Sequence, residues 1–391
     1  MADMTKKIIR VFIDADVICL DHFSGIGHYT ASLLKDIDSL LENDKYKHIK
    51  ITLGAPRRSF HRLESYGFNN FKLKKMPTSH RITNGLRKRD LLPPIDLIFG
   101  KQIYVFPNYS SWPTTGSPVV PIVYDLSYVL HPEFADDNNR IFLEKQVRLS
   151  AKRATRIITI SKNSKKEISE YYKYESEKIE ILYPIIDKRV FYKRSEREIK
   201  KVMARYGIFD KCILFVGNIE PRKNLISLLR AYEKIDPELQ KKYPLLLVGA
   251  KGWKDEEIHD HIETMRAKDI KIIQPSDYVS DQDMPALISG AKIFTYISKY
   301  EGFGIPPVEA MFCGTPVISS NNSSLPEATG NAALMVDADS ISEITKAIES
   351  LLTNDALRHE LTMKGYEHIK KPMFAAGQSG EKFLKLIESI K

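Results

Sequence analysis

Short, uninterrupted apolar runs recur along this chain, most of them separated by segments with helical spacing, and that alternation limits the fold more than any other feature. Ile8–Ile13, Ile49–Leu53, Ile103–Phe106, Val119–Val123, Ile157–Ile160 and Lys178–Leu182 form a first series. A second restarts at Cys212–Val216 and continues through Leu245–Val248, Lys271–Ile273, Ile293–Ile297 and Val317–Ser319. A strand apolar on both sides has to be covered on both sides, so such runs between helices predict parallel sheets wrapped by helices, an α/β class. Tyr183-Pro184-Ile185-Ile186-Asp187 reads as a linker, which gives two doubly wound, Rossmann-like domains, 1–185 and 186–372. With 391 residues and 43% hydrophobic content there is enough apolar material for two cores. A cleft between the carboxyl ends of two such sheets suits a reaction of two substrates.

The densest chemistry lies in Glu301-Gly302-Phe303-Gly304-Ile305-Pro306-Pro307-Val308-Glu309, between the runs at Ile293 and Val317. Two prolines suit the first positions of a helix, where no amide donor is needed, and this start puts Glu309 in the first turn. The free amides of that turn and the positive end of the helix dipole would gather beside Gly302 and Gly304. There the missing Cβ atoms let an anion approach closely. Phosphate or diphosphate is the ligand such a loop predicts. Arg222 and Lys223 follow the Cys212–Val216 run and precede a helix over Leu225–Lys234. Cations at a helix start oppose the dipole unless an anion sits beside them, and arginine grips phosphate with two N–H groups.

Taken in order, Ser24-Gly25-Ile26-Gly27-His28-Tyr29-Thr30, Asp125-Leu126-Ser127-Tyr128, Gly217-Asn218-Ile219-Glu220-Pro221-Arg222-Lys223-Asn224, the Glu-x7-Glu pair Glu301 and Glu309, and Ser323-Ser324-Leu325-Pro326-Glu327 carry a resemblance. Over nearly its whole length the chain resembles the retaining glycosyltransferases of family four, which have the GT-B fold, and in general it is similar to bacterial polysaccharide mannosyltransferases. The resemblance implies a nucleotide diphosphate sugar as co-substrate, no cofactor and no metal. It implies Arg222 and Lys223 on the departing diphosphate, Glu309 on the ribose hydroxyls and Glu301 beside the donor hexose. Gly302, Phe303, Gly304 and Ile305 would line the donor, Gly25 and Gly27 would close over it from the other domain, and a final helix over 373–391 would complete the N-terminal domain. The implied chemistry is a front-face displacement in which the donor phosphate takes the acceptor proton. GDP-mannose is the expected donor, and the acceptor a glycan or a lipid-linked sugar.

Other residues carry less. Tyr278 and Val279 are placed to pack on a nucleobase, with a core or loop contact equally open; Ser280 reads as the cap of a helix over Asp281–Ala291. Where many relatives have histidine before an Asp-Leu pair, this chain has Tyr124-Asp125-Leu126. A tyrosine can donate a hydrogen bond but is no base near neutrality, its ordinary pKa being about 10. Tyr124, Asp125 and Ser161 are the sugar-side or acceptor-side candidates. Asp14-Ala15-Asp16 reads as a strand end rather than a metal motif.

Charge is uneven. Residues 1–200 hold 35 Lys and Arg against 24 Asp and Glu, a net +11, while the rest hold 24 against 26. A basic segment over 71–92, interleaved with Phe71, Leu73, Met76, Ile82, Leu86, Leu91 and Leu92, suits either an anionic membrane surface or a solvated face. Three scattered cysteines argue against a disulfide framework, and no run is long enough to span a bilayer. A cytoplasmic protein, peripheral at the inner face of the membrane, is the expected setting. Rival readings are another GT-B activity, such as glucosyl transfer from UDP-glucose or epimerisation, and a basic nucleic-acid-binding protein. No nucleic-acid motif supports the last.

Overall fold

The computed structural model describes residues 7–20, 25–77 and 80–390. Ser24, first residue of the expected glycine loop, and the side chain of Arg81 lie outside the described residues. The chain divides into two compact units, Met1–Ile185 with Pro372–Lys391, and Ile186–Lys371.

In the first unit, β1 (Ile9–Asp14), β2 (Ile49–Pro56), β3 (Phe71–Met76), β4 (Ile103–Phe106) and β5 (Val119–Pro121) form one sheet in the order β3-β2-β1-β4-β5. All its pairings are parallel. A parallel pair, β6 (Ile157–Thr159) and β7 (Ile179–Ile181), continues from it through the Ile122 to Ile158 bridge. The second unit holds β8 (Ile213–Val216), β9 (Leu245–Val248), β10 (Ile272–Ile273), β11 (Ile293–Tyr296), β12 (Val317–Ser320) and β13 (Ala333–Val336), ordered β10-β9-β8-β11-β12-β13 and again parallel. Every residue of β9, β11 and β12 is buried, as strands covered on both faces must be. This is the doubly wound α/β class that the alternation of apolar runs predicts. In each large sheet the strand order reverses once, between β1 and β4 and between β8 and β11, and ligands bind at the carboxyl ends of strands on either side of such a reversal.

Several boundaries differ from the sequence reading. Gly25 and Gly27 are not in a loop: the helix Gly25–Leu40 already begins at Gly25. Glu309 is the fifth residue of the helix Ile305–Phe312, and so lies in its second turn. The helix expected from Asp281 starts at Met284; the Ser280 hydroxyl accepts the Asp283 amide, but within a turn before the helix. Part of the basic segment is strand β3, whose Phe71 and Met76 are buried, and Leu92 also belongs to the core. These apolar residues face the protein, while Ile82 and Leu91 remain exposed. Strands β3 and β13 were not expected at all. The short run Ala333–Val336 has only two fully buried residues.

The helix Gln378–Ser389 packs on Gly25–Leu40. Its entry is fixed by Asp36, whose Oδ1 and Oδ2 accept the amides of Gly377 and Gly380, each at 2.8 Å. A Cβ on Gly380 would stand 2.7 Å from that carboxylate and 2.8 Å from Leu40 Cδ1, so glycine is needed for the approach. Replacing Asp36 with alanine orphans two helix-start donors and is expected to cost about 1–2 kcal/mol, read from urea denaturation. An unchanged midpoint would show that the carboxylate holds nothing.

Candidate functional site

At the reversal in the second sheet, two loops leave the carboxyl ends of neighbouring strands β8 and β11 and meet. The first begins with Gly217, which runs so close to β9 that a Cβ on Gly249 would lie 1.9 Å from the Gly217 carbonyl oxygen. The pairing continues past the strand, with the Ile219 amide donating to Ala250 at 3.0 Å. A tight turn, Pro221–Lys223, follows, and Asn224 ends it in the left-handed conformation at φ 57°. The Asn224 side-chain amide donates to the carbonyls of Ile297 and Ala338, at 3.1 and 2.7 Å, and the Lys299 amide donates to the Arg222 carbonyl at 2.9 Å. These bonds fasten the turn to the loops that follow β11 and β13.

That second loop carries Glu301. Its amide donates to Ser323 Oγ at 3.0 Å and its carbonyl accepts from Ser324 Oγ at 2.7 Å, so the backbone is clamped on both sides of the carboxylate. Gly304 then caps the helix at φ 97°, against Leu325, with no room for a Cβ.

The side chains of the two loops form a closed ionic cluster. Lys223 Nζ donates to Glu301 Oε1 and to the Tyr296 hydroxyl, both at 2.7 Å. Arg222 Nη1 donates to Glu301 Oε2 at 2.8 Å and to the Tyr300 carbonyl at 3.1 Å. The rest of the guanidinium, Nε at 3.0 Å and Nη2 at 2.7 Å, rests on one oxygen of Glu220. Burial by itself would raise the Glu301 carboxyl, but the charges of Arg222 and Lys223 outweigh it and hold it down at about 2. Burial and then the adjacent Arg222 charge draw Lys223 below the ordinary lysine range. The anion expected beside the cations at this helix start is therefore supplied first by the protein, as Glu220 and Glu301.

Glu309 is different. Half-buried in the second turn of the helix, its carboxylate has no hydrogen-bond or ion-pair partner among the described residues. Burial, with the negative charge of Asp281 adding to it, pushes its pKa up to about 8. A protonated or half-charged carboxyl with free hydrogen-bonding capacity can accept from or donate to hydroxyl groups.

The other candidates separate. Gly302 and Phe303 are buried behind the loop, and Ile305 opens the helix half-buried. Tyr278 is 81% exposed, whereas Val279 belongs to the core. In the first unit, the Tyr124 hydroxyl is buried and donates to the Pro107 carbonyl at 2.7 Å, with Thr30 Oγ1 at 3.3 Å, so it is not presented to a sugar. Ser161 is fully buried and caps the helix Lys162–Tyr172 by accepting the Ser164 amide, which makes it structural rather than acceptor-facing. Asp125 Oδ1 closes a turn on the Ser127 amide and hydroxyl. Asp283 takes bonds from Arg205 at 2.5 Å and Tyr206 at 2.8 Å, a structural pairing. Three members of the cluster carried no role in the sequence reading: Glu220, Tyr296 and Asn224. Tyr296 sits inside an apolar run and reads as core. Glu220 lies only two residues from the arginine it holds, a spacing that signals nothing until the turn folds it back.

Because the native state keeps the Glu309 proton from its ordinary 4.5 up to about 8, this group's contribution to stability is complete below 4.5 and fades as pH rises through 8. Glu309→Gln should therefore match the parent in thermal melts near pH 4 and exceed it above pH 8. Parallel melting curves at both would show that the carboxyl titrates normally.

Residues 198–368 match the profile of glycosyl transferases group 1. The chain is 34% identical over 361 residues to O-antigen chain mannosyltransferase B of Escherichia coli, covering 89% of this chain and 92% of that one. It is 30% identical over 277 residues to the serotype-specific mannosyltransferase WbdA of Escherichia coli, a longer protein of which it spans 34%. In fold it is similar to HepE of Anabaena, solved in complex with UDP and glucose, with a TM-score of 0.71 over 98% of this chain and 100% of that one, at 15% identity. A full-length likeness of this degree to one relative, with the profile match across the unit that carries the ionic cluster, establishes that the chain belongs to the glycosyl transferases group 1 family and has the GT-B fold.

Proposed function

We propose that this chain is a mannosyltransferase of cell-surface polysaccharide synthesis, moving mannose from GDP-mannose to a glycan or lipid-linked acceptor with retention of configuration. The observation that carries the reading is the pairing of Arg222 and Lys223 at the carboxyl ends of β8 and β11, one short loop away from the unpartnered Glu309 carboxyl. Two fixed cations at a strand reversal fit a departing diphosphate, whose charge grows in the transition state. Glu309 fits the ribose hydroxyls, and Glu301, with its carboxyl kept ionised, fits the donor hexose. The sugar comes from the mannosyltransferase relatives, and the nucleotide from the resemblance. In this reading the cations do the work a metal would otherwise do on the leaving group, so the donor phosphate itself can receive the acceptor proton.

The acceptor side rests on charge. Lys72, Lys74 and Lys75 stand exposed on β3, Lys88 and Arg89 lie exposed at and just beyond the end of the helix His80–Lys88, and Ile82 and Leu91 are exposed beside them. No helix among the described residues is long and apolar enough to cross a membrane. Contact of this face with an anionic bilayer, at about 1 kcal/mol per cation, would bring the enzyme to a lipid-linked acceptor. Vesicles containing anionic lipid should carry the protein in flotation and lose it at high salt. Equal flotation with neutral vesicles would remove the surface from the account.

With GDP-mannose and a mannosylated acceptor, the purified protein should release GDP, and UDP-glucose should give no turnover. Arg222→Ala should lower kcat by about 100- to 1,000-fold, the range for loss of one preorganised charge donor, and EDTA should leave the rate unchanged. Near-normal turnover in Arg222→Ala, or a rate that depends on added magnesium or manganese, would overturn the assignment of the leaving-group charge to these cations.

A further inference from the structure

We infer that Glu220 is the positioning residue for Arg222, holding the guanidinium in place while Glu301 exchanges it for the diphosphate. The inference rests on the transferase reading above and adds a member that reading does not use.

As it stands the cluster is electrically balanced, two cations against two carboxylates. A diphosphate brings at least two more negative charges into the same small space, so one carboxylate has to give up a cation when the donor enters. The contacts decide which. Glu301 is held by two cations, Lys223 on Oε1 and Arg222 on Oε2, each near 2.7–2.8 Å. It can release Arg222 and remain paired. Glu220 is 1% exposed, and among the described residues its one ion-pair contact is Arg222, with Lys223 acting on it only through its charge. Letting that contact go would leave a buried carboxylate without an ion pair, the costlier step.

The geometry of the grip agrees. Glu220 Oε1 takes Nε and Nη2, the flank of the guanidinium, and leaves Nη1 pointing at Glu301 Oε2. Nη1 is therefore the edge that can exchange Glu301 for another acceptor, and Glu220 fixes the plane in which it turns. The Tyr300 carbonyl, 3.1 Å from the same Nη1, is a second acceptor on that edge. A planar group held along one flank and presented along the other is aimed before the substrate arrives, which spares the reaction the cost of orienting it.

The test compares nucleotides that differ by the phosphate Arg222 would hold. In calorimetric titrations the parent should bind GDP more tightly than GMP. Glu220→Gln should weaken GDP about tenfold while GMP stays within about twofold, and should lower kcat more than it raises KM. Glu301→Gln, which removes the competing carboxylate, should bind GDP at least as tightly as the parent. Glu220→Asp keeps the charge at shorter reach and should show the same pattern more weakly; it decides the matter if the glutamine variant does not fold. An unchanged GDP-to-GMP ratio in a folded variant, or equal losses for both nucleotides, would overturn the positioning role and leave the transferase reading standing. A parent protein that binds neither GDP nor UDP would instead overturn that reading, and this inference with it.

Discussion

Everything in the candidate site depends on the rule that buried charge has to be paired. Arg222 and Lys223 could not stand at the start of a helix, largely withdrawn from water, without anions beside them. Glu220 and Glu301 supply those anions, and Glu301 in doing so ties the loop after β8 to the loop after β11. The same bonds that stabilise the loops hold both cations ready at the strand ends. In the proposed reading, stability and function compete for one set of partners, because an incoming diphosphate would take over a contact that the folded protein already satisfies.

The two glutamates of the Glu-x7-Glu pattern illustrate how environment divides identical side chains. Glu301 sits between two cations and stays ionised at any physiological pH; Glu309, set eight residues on with no ion-pair partner among the described residues, is pushed toward the neutral form by burial. One is a fixed charge and the other a hydrogen-bonding group. Their spacing places them on opposite sides of the Gly304 cap, so that the loop carries the charge and the helix carries the neutral acid. Glycines and serines do the rest: Gly304 allows the close turn, while Ser323 and Ser324 pin the Glu301 backbone.

Much of this was legible in the residues. Apolar runs uninterrupted on either face required parallel sheets, and the loops at Arg222 and Glu301 followed strands that had to be neighbours or near neighbours for any shared chemistry. Shorter or half-buried elements were not legible. Strand β3 looked like a basic surface because three of its six residues are lysines, and the apolar run of β13, buried only at its two ends, was not read as a strand. Tyr124 was a candidate because it stands where many relatives have histidine, and Ser161 because it follows a strand; each proved to spend its hydrogen bonds on the protein, a fact that depends on which carbonyl or amide folds against it.

The sequence by itself determined the class of fold, the places where loops leave the sheet and the kinds of charge those loops carry, because periodicity and residue type are local properties. Only the tertiary structure decided which charges meet. Glu220, two residues from Arg222, and Glu301, 79 residues away, both become partners of its guanidinium once β8 and β11 lie side by side. Glu309, in the same motif as Glu301, is left without one. Coulomb energy and desolvation depend on separation in space and on depth from water, and neither quantity exists until the chain has folded.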